Sequence, residues 1–100
     1  MQTNSLYTHL TKDEIIHELM KVFISRAPFP ALEVIVNDQQ LLFIDAFEEE
    51  RTLTFKIALH SKDSIVLKNN DIENIIILDT EKNKKFIEYY GLFNDIIKNQ

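Results

Sequence analysis

A chain of 100 residues with one glycine, Gly91, and no cysteine is long enough for one hydrophobic core and too short for two. The missing cysteines exclude zinc ribbons, iron–sulfur clusters, thiol catalysis and disulfide frameworks; the lone glycine excludes phosphate-cradling loops and nucleophile elbows, which need glycine where the backbone turns tightly or approaches a ligand. A net charge of −5 argues against nonspecific nucleic-acid binding, whose affinity comes from counterions displaced by a concentrated cationic face.

Met1 to Ser5 carries neither the basic region nor the apolar core of a signal peptide, and the longest apolar runs, Leu41 to Ile44 and Ile75 to Leu78, are four residues each. A single cytoplasmic domain over residues 1–100 with no membrane span is therefore expected. The first helix announces itself at Thr11-Lys12-Asp13-Glu14, a capping box in which the Thr11 hydroxyl accepts from the Glu14 amide and the Glu14 carboxylate reaches back to the Thr11 amide. Ile15, Ile16, Leu19, Met20, Val22 and Phe23 then recur at helical spacing until Pro28 and Pro30 forbid continuation, which predicts a helix over 12–26.

The pattern next switches to period two. Leu32, Val34 and Val36 alternate with Glu33, Ile35 and Asn37, and Leu53, Phe55, Ile57 and Leu59 alternate with Thr52, Thr54, Lys56 and Ala58, predicting two strands. Between them 41–47 is apolar on both faces, as in a strand covered on each side. Turn residues at 37–40 and 48–51 join the three into an antiparallel meander. A fourth strand is predicted over 64–68 and a fifth over 75–78, the latter β-branched, again apolar on both faces, and preceded by a single helical turn at 71–74. Asp79 or Thr80 caps a second helix, where Phe86, Tyr90, Phe93 and Ile97 form one stripe beside Tyr89 and Ile96. Gly91 falls on the opposite face, either as a break or kink or as a tolerated glycine costing about 1 kcal/mol.

Clusters with chemical potential have simpler readings. Asp13 and His17, with Glu14 and Glu18 nearby, have metal-ligand spacing but no third convergent ligand, and read as a surface ion pair. His60, Ser61 and Asp63 are the residue types of a hydrolytic triad crowded into one turn, where they cannot line up base to nucleophile. Glu48, Glu49 and Glu50 at a hairpin tip read as solvated. Asp45 interrupts the face of Leu41, Phe43 and Phe47, where a carboxylate needs a partner or an edge; it reads as a paired structural aspartate before a general base, since no second catalytic group stands beside it. No enzyme, metal or cofactor is expected.

Two surfaces remain. Lys56 and Lys68 on the strands, Arg51 and Lys62 at neighbouring turns, and Lys82 and Lys85 at the start of the second helix, with Tyr89 or Tyr90 as a stacking platform, would form a surface for single-stranded RNA if the two groups met in space. Tyr89, Phe93, Ile96 and Ile97 would form a homodimer interface, because the chain carries more apolar surface than a small interior hides.

These elements predict an α+β domain: a curved, five-stranded, mostly antiparallel sheet or small β-barrel with one N-terminal and one C-terminal helix. In element order the chain resembles the small barrels used as binding modules, among them Sm-like, PUA-like and bacterial PH-like domains. The expected function is that of a non-enzymatic regulatory or binding module acting through a macromolecular partner or self-association. The alternative is an RNA-binding regulator of PUA-like type, using the lysine, arginine and tyrosine surface.

Overall fold

The structure, a computed structural model, describes residues 5–22, 31–58 and 60–94. It is an α+β fold of β1 (Ser5–Leu6), α1 (Lys12–Leu19), β2 (Leu32–Val36), β3 (Gln39–Phe47), β4 (Thr52–Lys56), β5 (Ser64–Lys68), β6 (Ile75–Leu78) and α2 (Glu81–Tyr90). The six strands form one antiparallel sheet in the order β1-β6-β2-β3-β4-β5. This corrects the expected five-stranded sheet or barrel on two counts. β1 adds a strand too short to show any alternation, and β1 and β5 end at opposite margins without pairing, so the sheet stays open. The likeness to small barrels does not extend to closure.

α1 begins at the expected capping box: Thr11 Oγ1 accepts from Glu14 N at 3.2 Å and Glu14 Oε1 accepts from Thr11 N at 2.9 Å. It ends earlier than residue 26. Lys21 N donates to Glu18 O and Val22 N to Leu19 O, so the last turn tightens to three-residue bonds and the α-helix stops at Leu19; 23–26 lie outside the described residues. The β2–β3 hairpin turns on Asn37 and Asp38, whose positive φ values of 51° and 68° suit a two-residue type I′ turn. Asn37 then organises the loop before β6, its Oδ1 accepting from Glu73 N at 2.7 Å and its Nδ2 donating to Asp71 O at 2.9 Å. β4 stops at Lys56, opposite Ser64, so Ile57 leaves the ladder and is exposed; Leu59 lies outside the described residues. A 3₁₀ turn precedes β6, at Asn69–Asp71 rather than 71–74.

Gly91 closes α2. It adopts φ 64°, its N–H donates to Glu88 O at 3.2 Å and Leu92 N donates to Ile87 O at 3.0 Å, the paired bonds of a Schellman motif. The glycine therefore marks a helix end, where a left-handed residue is needed.

Both helices send their buried side chains into one core: Ile15, Ile16 and Leu19 from α1, Phe86 and Ile87 from α2, against Leu32, Val34, Phe43, Leu53, Phe55 and Ile77 of the sheet. Phe43 meets Phe55 at 5.9 Å and Phe86 at 6.4 Å between ring centroids. Asn83, fully buried, ties α2 to the strand ends: its Oδ1 accepts from Glu33 N, and its Nδ2 donates to Glu33 O and Leu78 O, each at 2.8 Å. It stands in for a peptide group where β2 and β6 part company.

Candidate functional site

The surface that the helices leave is built by a β-bulge. Phe43 pairs with Phe55, yet Asp45 pairs with Thr54, so Ile44 is the extra residue on β3. Without the bulge Asp45 and Phe47 would share the core face with Phe43 by simple alternation. With it Ala46 enters the core, Asp45 turns outward to accept from the Ala46 amide at 2.8 Å, and Phe47 becomes half exposed. The candidate general base is thus a half-buried, backbone-bonded carboxylate beside a threonine.

Cross-strand register lays out this outer face. Ile76, Ile35 and Gln40 form one row, Glu33, Leu42, Lys56 and Ser64 the next, then Asp45, Thr54 and Val66, and at the hairpin end Phe47, Thr52 and Lys68. Phe47, Val66 and Ile76 are exposed, at 50%, 57% and 38% of their full surface. Lys68 Nζ lies 3.2 Å from Glu50 Oε2. Glu48 to Arg51 turn the chain from β3 to β4, with positive φ at Glu50 and Arg51.

The residues singled out from the sequence fall in three places. Lys56 and Lys68 stand on the outer face with Arg51 at its hairpin end, whereas Lys82 and Lys85 are exposed on α2 in the helix layer, so the sheet lies between the two groups. Tyr89 is exposed on α2 and meets Tyr90 edge-on at 5.0 Å. Phe93 is fully buried and stacks on Tyr7 at 4.3 Å, which commits it to the core instead of a surface; Ile96 and Ile97 lie outside the described residues.

Burial raises the Tyr7 hydroxyl above its ordinary pKa and does the same at Tyr90, where Tyr89 and Asp45 add to it. Lys84 is also held above its usual value, by its hydrogen bond to Asp79 first and the charges of Asp79 and Glu81 next.

Among the described residues no group of three or more His, Asp or Glu side chains converges as a metal site. Asp13 lies 4.0 Å from Lys12 Nζ, and His17 is exposed. The Ser61 hydroxyl is engaged by the Asp63 backbone, accepting from its N–H at 3.2 Å. An open cleft of about 410 Å³ lies between α1 and the β3–β4 turn, lined by His17, Met20, Lys21, Glu48 and Arg51. Its charges are mixed, since Glu48 joins its lining and Lys21 is bound at 2.9 Å by the buried Glu18.

No family model matches the chain, and no curated protein or solved structure matches it. No helix of the described residues is long and apolar enough to cross a membrane. What the sequence did not reveal is the outer face itself: Phe47 and Val66 become surface residues through the bulge and through β5's place at the margin, and neither event has a local signature.

Proposed function

We propose that this chain is a non-enzymatic binding module that acts by self-association through the sheet surface turned away from its helices. The observation that carries this reading is the one-sided packing of the sheet. α1 and α2 share one core, while Phe47, Val66 and Ile76 stay exposed on the far side. Phe47 and Val66 fall in neighbouring rows of that face with Ile76 toward the other margin, and apolar side chains left on one face of a small domain favour an interface. A cytoplasmic setting goes with this reading, since a chain without cysteine loses nothing in a reducing compartment.

RNA recognition draws less support. Lys68 is occupied by Glu50, Asp45 and Glu33 share the outer face with Lys56, and Lys82 and Lys85 belong to the other layer. A phosphate backbone would meet carboxylates as often as ammonium groups. Sedimentation velocity over a concentration series tests the self-association reading: a reversible dimer is expected, and a monomer at every concentration overturns it. A gel shift with RNA at low salt, abolished by Lys56→Ala, would revive the rival.

A further inference from the structure

We propose that the outer edge of β5, which pairs with no described strand but β4, pairs antiparallel with β5 of a second copy about a two-fold axis at Val66; this rests on the self-association reading and places the contact at the sheet's margin, with Val66 the residue shared with the exposed outer face. The two margins of the sheet are built differently. At one, β1 covers β6 with only two residues. At the other, β5 presents five residues in unbroken register with β4.

Edge strands are commonly guarded by proline, a bulge or a charge pointing inward. Over Ile65–Leu67 β5 has none of these. Its lysine, Lys68, lies on the outer face and is bound to Glu50, and the Lys68 N–H is engaged by Asp71 Oδ2 at 3.4 Å, so pairing is capped at that end.

The strand is complementary to itself in one register. With Val66 opposite its own copy, Ile65 faces Leu67 of the partner subunit and Ser64 faces the partner's Lys68. No like charges then stand opposite one another. Ile65 and Leu67 lie on the core side and are half-buried, because the layer ends at them; each gains an apolar neighbour in this pairing. Moving the axis to Ile65 would set Lys68 opposite the partner's Lys62. Moving it to Leu67 would set Ile65 opposite the partner's Asn69, where the chain has already left the strand for a 3₁₀ turn. Charge and strand length together therefore select Val66. So short a pairing makes a weak, concentration-dependent dimer, below the usual size of a stable interface.

The test uses the absence of cysteine. Val66→Cys places the chain's one thiol on the axis, within disulfide reach of its copy, and Ile76→Cys places it on the same face away from the axis. Under mild oxidation the Val66→Cys protein is expected to form disulfide dimers roughly tenfold faster than the Ile76→Cys protein, through the raised effective concentration. Val66→Lys, at an exposed position, is expected to keep the fold by circular dichroism and to sediment as a monomer. Equal cross-linking rates, or a Val66→Lys protein that dimerises like the wild type, would overturn the edge pairing and leave self-association standing elsewhere. A monomeric wild type at high concentration would overturn both.

Discussion

Glu18 Oε1 accepts the backbone N–H of Phe93 at 2.7 Å, joining α1 to the turn that follows α2 across 75 residues of sequence. Phe93 has a φ of 65°, a strained choice for a residue with a Cβ, and the carboxylate on one side and the Tyr7 ring on the other hold it there. The Glu18 side chain is buried, with Lys21 Nζ at 2.9 Å to balance its charge.

Glu18→Ala should therefore destabilise the fold by about 3 kcal/mol, the cost of losing a charge-assisted bond and leaving a buried amide unmatched. Glu18→Gln keeps an acceptor in place and should cost less, about 1.5 kcal/mol. Urea unfolding of the two variants checks the order, and equal losses would show that a neutral acceptor contributes nothing and that the charge carries the whole interaction.

Asn83→Ala removes three hydrogen bonds, two of them to Glu33 and one to Leu78, from a fully buried position. A loss of about 3 kcal/mol is expected, because strand-end groups are left without partners. Asn83→Asp should be at least as damaging, since it replaces the two-donor nitrogen with an acceptor facing two carbonyl oxygens. Thermal unfolding followed by circular dichroism measures both.

At Gly91 a methyl group would have room, since the nearest atom to an added Cβ is Asn94 Nδ2 at 3.5 Å. The cost of Gly91→Ala is conformational, about 1 kcal/mol for a left-handed alanine, and Gly91→Asn should lose less. A neutral or stabilising Gly91→Ala, measured by urea unfolding, would contradict the left-handed cap.

The capping box gives a pH dependence of known sign. Glu14 is held below the ordinary carboxylate range, first by the bond from the Thr11 amide and then by that from its side chain. A carboxylate lowered in the folded state stabilises it above the unfolded value, near pH ~4.3, and that contribution disappears as pH falls through the folded value. Unfolding of Glu14→Gln against wild type should thus differ at neutral pH and converge in acid. Thr11→Ala, which removes the cap hydroxyl, is expected to cost about 1 kcal/mol by the same assay at neutral pH.

How much could be read before folding depended on distance along the chain. Thr11 and Glu14 are three residues apart, as are Thr80 and Asn83, and both helix starts follow from bonds within one turn. The alternation in β2 and β4 was legible because the core side of each strand is buried. Ser5 and Leu6 offer no alternation to read, and become a strand only because Ile77 and Leu78 lie alongside.

By itself the sequence determined the α+β class, the Thr11 capping box, a hairpin turn within 37–40 and most of the core, all consequences of local bonding and hydrophobic period. Tertiary structure alone decided the rest. The bulge at Ile44, just past the last β2 pair at Phe43, moves Asp45 and Phe47 out while bringing Ala46 in. Glu18 and Asn83 find backbone partners 75 and 50 residues away. Val66 is exposed because β5 is last in the strand order, and that order is set by which strands meet, a property no single segment carries.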